Sequence, residues 1–195
     1  MLRFGFVAAL LGPLLAALFL TSPADASIVQ GLELEELTAE ADCIVLGRVL
    51  FSESFVRPDG QISTWHRIEV EREIRGQAPD ESELIIETLG GQIGDIGMRV
   101  EGEASFEVGE RVLVFAHGGG PYSAFRPVGM GQGVMRVRRE QGVDTVRQSR
   151  EGLMLVRRDA EGRLKRSFGA VPEPERLDAF LIKLRNLAQE QEGRR

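Results

Sequence analysis

The fold is constrained most by a series of short segments in which apolar and polar residues alternate, each ended by a turn that contains glycine. The clearest segment, "ISTWHRIEVEREIR", has one mainly apolar face, made of Ile62, Thr64, His66, Ile68 and Val70. Its other face carries charge, and this period of two predicts a half-exposed β-strand. Strands are also predicted at "ELIIETL" and "ERVLVFAH". "DCIVLGRVLF" is apolar on both faces at its start and alternates later, which indicates a central strand. "GVMRVRR" with "VDTVRQ" and "LMLVRR" with "RLKRSF" flank glycine turns and predict two hairpins.

Two segments have the helical period instead. "LELEELTAEA", Leu32 to Ala41, sets leucines among acidic residues and predicts a short amphipathic helix that covers something apolar. Near the carboxyl end, "EPERLDAFLIKLRNLAQE" follows Pro172 and predicts a docked helix. The apolar stripe of that helix comprises Leu177, Phe180, Leu181, Leu184 and Leu187.

Many short strands, glycine turns and little helix favour a small β-barrel. Gly47, inside an apolar strand, predicts a bulge or bend. We therefore expect a mainly β chain that forms a small OB-like barrel, closed or partly open. The barrel is expected to carry extra C-terminal hairpins, a short N-terminal helix and a C-terminal amphipathic helix. A β-sandwich is the alternative fold. The predicted divisions are a signal peptide at 1–26, the barrel with its hairpins at 27–170, and the C-terminal helix and tail at 171–195.

The first 26 residues have the features of an export signal. Arg3 precedes the uncharged run Phe4 to Leu20, and Ala24-Asp25-Ala26 offers the small-x-small pattern of a signal peptidase site. We expect cleavage near Ala26/Ser27, a secreted or periplasmic product, and no stable membrane insertion afterwards. An uncleaved membrane anchor is the alternative.

Charge is spread unevenly along the chain. Residues 27–110 contain 19 acidic and 6 basic residues, a balance of −13, whereas residues 134–168 contain 5 acidic and 10 basic residues, a balance of +5. The two parts are expected to attract each other, with the arginines on solvated strand faces. The other interpretation is a basic surface for an acidic polymer or anionic headgroups. Net charge of −6 argues against nucleic acid as a partner.

"ETLGGQIGDIGMRVEG" concentrates glycine directly after a predicted strand, at Gly90, Gly91, Gly94 and Gly97. The spacing fits neither a P-loop nor a dinucleotide-binding loop, and Asp95 disfavours anions. One acidic residue is also too few for a calcium loop. We expect an ordered connection whose glycines allow positive φ. The candidate contact residues are Gly90, Gly91, Gly94, Asp95 and Gly97, together with Tyr122 and Gln132 from two later glycine-rich stretches.

No stretch carries a complete catalytic or metal-binding signature, and we predict no cofactor and no metal site. The chain has two histidines, His66 and His117, and one cysteine, Cys43. HExxH, CxxC and GxSxG spacings are absent from the sequence. A site built from those three residues is the metalloenzyme alternative, whereas Cys43 beside "IVLG" is expected to be a small buried hydrophobe and His66 a hydrogen-bonded core residue.

Four motifs in order, "LEELTAEADCIVLGRV", "LGGQIGDIGMRVEG", "FEVGERVLVF" and "VGMGQGVMRVRRE", resemble a family of exported bacterial proteins to which no activity is assigned. The resemblance spans Leu32 to Arg139 and implies an exported barrel-like domain. "ADCIVLGRV" followed by "IEVEREIRG" is also similar to the first strands of netrin-like domains, OB barrels that include the tissue inhibitors of metalloproteinases. Those inhibitors chelate zinc through an N-terminal cysteine, and Ser27 stands there instead, so their inhibitory chemistry is not implied.

The expected function is an exported, non-catalytic binding module that contacts a protein or an envelope polymer through its glycine-rich loops. A metal-dependent hydrolase assembled from dispersed residues is one alternative. An accessory or inhibitor of a secreted protease is the other.

Overall fold

The structure is a computed structural model that describes residues 26–76, 82–119, 124–171 and 173–193. Its first half contains β1 (Ser27–Gln30), α1 (Leu34–Glu40), β2 (Cys43–Val56), β3 (Ile62–Arg75), β4 (Glu83–Leu89), β5 (Gly91–Ile93) and β6 (Ile96–Met98). The second half contains β7 (Arg111–Gly118), β8 (Phe125–Pro127), a 3-10 helix (Met130–Gly133), β9 (Val134–Glu140), β10 (Val143–Gln148), β11 (Leu153–Arg158), β12 (Leu164–Arg166), β13 (Glu175–Arg176) and α2 (Leu177–Glu192). The predicted export signal, up to residue 25, and Tyr122 lie outside the described residues.

The predicted mainly β fold is confirmed, and its main sheet curves back on itself. Strands β7, β2, β3 and β4 are antiparallel neighbours in that order, and β8 follows β4 as a parallel neighbour. β8 also pairs with β7, which makes the sheet partly closed. Beyond β7 the same sheet continues through β9, β10 and β13. Because one sheet bends round to meet itself, the sandwich alternative does not describe this chain.

Gly47 allows the bend that was predicted for it. The register between β2 and β3 shifts between Leu46 and Gly47, and again between Val49 and Phe51. A Cβ atom at Gly47 would lie 2.3 Å from the carbonyl oxygen of Glu69, a distance that no side chain tolerates. Glycine therefore lets β3 cross β2 closely enough for the sheet to curl.

The core has two layers on opposite sides of this sheet. The start of β2 is buried on both faces, as its uninterrupted apolar sequence predicted. The inner layer fills the barrel with mostly aliphatic side chains: Cys43, Val45, Val49, Ile68, Leu84, Ile86, Ala104, Val112, Val114, Ala116, Phe125 and Val134. The outer layer lies between the sheet and the two helices, where Ile44, Leu46 and Phe115 meet leucines of α1 and α2.

Both predicted helices are present, and α1 buries Leu34 and Leu37. Helix α2 buries Leu177, Phe180, Leu181 and Leu184, whereas Leu187 is half-buried. Its predicted start was too early, because the helix begins only at Leu177. The preceding Glu175–Arg176 pairs with β10 as a strand, so the sheet edge holds these residues in an extended conformation.

The acidic and basic parts of the chain meet in ion pairs, as their charge balance predicted. Arg136 pairs with Glu110, and Arg157 donates to Glu36 at the start of α1. These ion pairs join β9 and β11 to the acidic part of the chain. Among the described helices, none is both long and apolar enough to cross a membrane.

Candidate functional site

The glycine-rich stretch after β4 is a two-stranded hairpin, formed by β5 and β6. Gly90, Gly91 and Gly94 have φ values of 96°, 136° and 58°, which L side chains rarely adopt. Gly97 has no such requirement, and a Cβ atom there would meet nothing closer than 3.8 Å. The expected ordered connection is therefore present, with positive φ at three of the four glycines.

The base of this hairpin is fixed to one end of the barrel by hydroxyl groups. Thr64 Oγ1 donates to the carbonyl oxygen of Gly90 at 2.7 Å, and Ser54 Oγ lies 2.9 Å from Thr64 Oγ1. A Cβ atom at Gly91 would lie 2.3 Å from both hydroxyl oxygens. The backbone N–H of Gln92 also donates to Ser54 Oγ. Close approach at Gly91 thus holds the hairpin rigidly against β2 and β3.

The tip of the hairpin presents apolar side chains to solvent. Ile96 is 70% exposed and Ile93 is 36% exposed, on either side of the turn at Gly94 and Asp95. The Gln92 side chain donates to the carbonyl oxygen of Gly94 at 3.0 Å and closes the turn from within. The tip of this ordered hairpin therefore exposes two branched apolar side chains close together.

A cavity of about 320 Å³ opens beside the hairpin, between the barrel end and segment 98–106. Its volume is at the lower end of the range for small-molecule sites, which suits one side chain or one small polar ligand. The polar groups that line it come from β3, β4, this segment and the turn before β11: Thr64, His66, Thr88, Arg99, Glu101, Glu103, Ser105 and Glu151. Gly90 and Gly91 form part of the same wall.

His66 lies in the wall of this cavity and is 5% exposed, in agreement with its predicted place in the core. Its Nδ1 lies 2.8 Å from Ser52 Oγ and its Nε2 lies 2.9 Å from Thr88 Oγ1. The ring also packs on Phe106, with 4.6 Å between centroids. Burial lowers the pKa of His66 to about 4, so the imidazole is neutral at pH 7. The two hydroxyls can complement either neutral tautomer.

Glu103 adds a carboxyl group whose affinity for protons is increased. Burial raises the pKa of Glu103 above its ordinary value, although its bond with the backbone N–H of Ala104 at 3.0 Å favours the ionised form. The wall thus combines a neutral imidazole, hydroxyl groups and this carboxyl. These groups can hydrogen-bond a polar ligand, and Arg99, Glu101 and Glu151 add charges of both signs to the same wall.

Gln132, a predicted contact residue, does not face solvent, because it is 1% exposed. Its Oε1 accepts from the backbone N–H of Leu32 at 2.9 Å, and its Nε2 donates to the carbonyl oxygens of Gln30 and Gly129. The side chain therefore joins the N-terminal segment to the 3-10 helix. Its amide therefore has a structural role, and the residue also lines a shallow pocket of about 270 Å³ between these two segments.

The three residues of the metalloenzyme alternative do not converge. Cys43 faces the barrel interior opposite Ala116, whereas His117, the next residue in β7, is exposed on the other face of the sheet. Cys43 is buried as predicted, and burial raises the pKa of its thiol to about 11. Within the described ranges, no three His, Cys, Asp or Glu side chains are grouped so that they could hold a metal ion.

The hydroxyl groups of this site were not predicted from the sequence as functional groups. Ser52, Ser54, Thr64 and Thr88 occupy positions whose side chains point into the barrel, in register with one another and with His66. The signal was present as a change along one strand face, from Val45 and Val49 to Ser52 and Ser54 after the bulge. A polar end to an otherwise aliphatic barrel is what that change indicates.

No protein-family model matches the chain, and no curated protein is significantly similar to it. Functional conclusions therefore depend on the geometry of this site.

Proposed function

We propose that the chain is an exported, non-catalytic binding module that holds a protein partner at the open end of its barrel. The observation that carries this proposal is the ordered hairpin, whose tip exposes Ile93 and Ile96 beside a cavity lined by polar groups. An apolar tip contributes to binding only when a partner covers it. A partner segment would cover the isoleucines and place one polar side chain in the cavity.

The chemistry of His66 supports binding better than catalysis. Both ring nitrogens of His66 lie within hydrogen-bond distance of hydroxyls, and its pKa of about 4 makes it a weak base at neutral pH. An effective general base has a pKa near the working pH. Ser52 and Thr88 are thus hydrogen-bond partners that orient the ring, and the ring offers neutral polar surface to a ligand.

The strand order supports an OB-like barrel as the scaffold. A five-strand ring with a single parallel pairing, between β4 and β8, is compatible with a partly open Greek-key barrel. In such barrels the connecting loops form the binding surface while the strands keep it rigid. The hairpin of β5 and β6 lies in one of those connections, between β4 and β7.

The start of the fold supports export with cleavage near Ala26/Ser27. Ser27 is the first residue of β1, its backbone nitrogen donates to the carbonyl oxygen of Gly152 at 2.9 Å, and its Oγ donates to the carbonyl oxygen of Glu101. Cleavage before Ser27 would keep both bonds, since a new amino group still donates. The mass of the protein recovered outside the cytoplasm tests this, and a mass that includes residues 1–26 would contradict it.

The binding proposal is tested by affinity capture with a matched pair of variants. The mature chain is immobilised and exposed at low salt to envelope extract of the producing cells, as wild type, Ile96→Ser and Ile182→Ser. Ile182 is 61% exposed on α2, so its replacement is a similar surface change away from the hairpin. We expect one protein to be retained by the wild type and by Ile182→Ser but not by Ile96→Ser.

Three outcomes would contradict the proposal: nothing retained by the wild type, equal loss of binding with both variants, or retention of a polysaccharide alone. The last outcome would favour the envelope-polymer alternative. An accessory or inhibitory role toward a secreted protease is a special case of a protein partner. In that case the retained fraction should contain protease activity. Adding the wild-type chain should change this activity, and adding the Ile96→Ser variant should not.

A further inference from the structure

The β9–β10 hairpin carries a second polar groove, away from the tip of the glycine hairpin. The groove encloses about 350 Å³, and four arginines line it: Arg136, Arg138, Arg147 and Arg150. Glu140 and Glu151 are the acidic residues of the same wall. Four guanidinium groups against two carboxylates leave this groove positive on a chain whose formal net charge is −6.

The strand register places like charges next to each other. Arg136 lies directly opposite Arg147 on the neighbouring strand, and Arg138 lies opposite Thr145. Arg136 and Arg138 are two residues apart, so both project from the same face as Arg147. Like charges in directly opposite positions destabilise a strand pair. An arrangement that gathers three guanidinium groups on one hairpin face costs stability unless an anion lies between them.

Neighbouring groups neutralise some of these arginines and not others. Arg136 pairs with Glu110 and donates to Ser105 Oγ at 2.9 Å, and Arg150 donates to the carbonyl oxygen of Phe168 at 3.0 Å. The side chains of Arg138 and Arg147 are exposed and form no ion pair or hydrogen bond with any residue in the described ranges. Two free guanidinium groups therefore flank the groove, with the anchored Arg136 beside them.

We propose that this groove binds a phosphate or sulfate group. Guanidinium forks form paired, charge-assisted hydrogen bonds with the oxygens of such groups. A tetrahedral oxyanion has enough oxygens to accept from Arg138, Arg147 and Arg136 together, whereas one carboxylate has only two. Glu151 lines both this groove and the cavity beside the glycine hairpin, so the two sites are neighbours. The arginines of the groove do not line that cavity, and the phosphate proposal is tested separately from the protein-binding function.

The first test is calorimetric titration with inorganic pyrophosphate at low ionic strength, using the mature chain. The test variant is Arg138→Gln with Arg147→Gln, and the control is Arg158→Gln with Arg166→Gln, two exposed arginines of the β11–β12 hairpin. Both double variants remove the same charge. We expect affinity to fall about tenfold or more in the test variant, since bonds to charged groups are removed, and by less than about twofold in the control.

The source of the group is distinguished by vesicles. If the chain binds pyrophosphate but not vesicles that contain phosphatidic acid, the natural ligand is a free or polymer-borne phosphate. If the chain binds both, the natural ligand is a lipid headgroup. The proposal is overturned if the wild type does not bind pyrophosphate, or if both double variants weaken binding equally. It is also overturned if glutarate, a dicarboxylate, binds as tightly as pyrophosphate, because the groove would then recognise charge alone.

Discussion

Replacing Gln132 with methionine should destabilise the whole domain. Methionine has similar length and volume but cannot hydrogen-bond as the amide does, so the change leaves no cavity while it removes three hydrogen bonds. Those bonds join the Gln132 amide to the backbone N–H of Leu32 and to the carbonyl oxygens of Gln30 and Gly129. The N–H of Leu32 loses its side-chain partner and must find another or remain unpaired, whereas the carbonyl oxygen of Gly129 keeps the backbone N–H of Gln132 at 3.3 Å.

The magnitude follows from how deeply each of these groups is buried. The bond to Leu32 is buried, so its orphaned N–H costs about 1–3 kcal/mol. The two carbonyl oxygens belong to partly buried bonds, where water replaces the amide at a cost of about 0.5 kcal/mol each. We expect the free energy of unfolding to fall by about 2–4 kcal/mol, a large part of the stability of a typical domain.

The assay is urea unfolding followed by the fluorescence of Trp65, the single tryptophan of the chain. It is half-exposed and stacks on Phe55, with ring centroids 4.3 Å apart, so unfolding changes its surroundings. Gln61→Met, at an exposed position, is the control and should change stability by less than about 0.5 kcal/mol. A Gln132→Met variant as stable as the control would refute this reasoning. If that equally stable variant no longer captured the partner, Gln132 would be a contact residue after all.

Three further predictions concern buried groups and glycines. The pKa of His66 is about 4 in the folded chain and 6.5 in the unfolded chain, so as pH falls the imidazole is protonated first in the unfolded chain. The free energy of unfolding should therefore decrease by about 3 kcal/mol between pH 6.5 and pH 4. Urea unfolding at several pH values should show this decrease in His117→Gln and not in His66→Gln. Cys43 should resist iodoacetamide at pH 8 in the folded chain and react in urea, because its thiol is buried and has a pKa of about 11. Mass spectrometry measures the labelling, and fast labelling without urea would contradict this prediction. Gly47→Ala should cost about 2–3 kcal/mol against the backbone of Glu69, whereas Gly97→Ala, in open space, should be nearly neutral; equal midpoints in thermal unfolding would contradict this.

Local patterns predicted most elements of the fold because each depends on nearby residues. The alternation in "ISTWHRIEVEREIR" and the leucine spacing after Leu177 depend on which side chains share a face, and periodicity alone sets this. The start of α2 could not be predicted in the same way. Glu175 and Arg176 are suited to a first helical turn, but β10 offers them backbone partners from a strand distant in sequence.

The candidate site was predicted only in part. The hairpin glycines were found because positive φ at a turn is a local requirement, and His66 was expected to be buried from its apolar strand face. The cavity was not found, since it exists only where segment 98–106 lies beside the ends of β3 and β4. Gln132 was misplaced for a related reason: its glycine-rich surroundings indicate an exposed loop, but the N-terminal segment covers it.

The sequence by itself determined the strand faces, the position of the bulge at Gly47, the hairpin turns and the balance of charge between the two halves. Periodicity, glycine conformations and charge counts are properties of neighbouring residues, so they survive without a known fold. Only the tertiary structure decided that the sheet closes through the short strand β8 and that hydroxyls from β2 and β4 meet at His66. It also decided that Arg138 and Arg147 lack acidic partners among the described residues. Each of these depends on groups brought together across long stretches of chain, and such distances are set by packing and register.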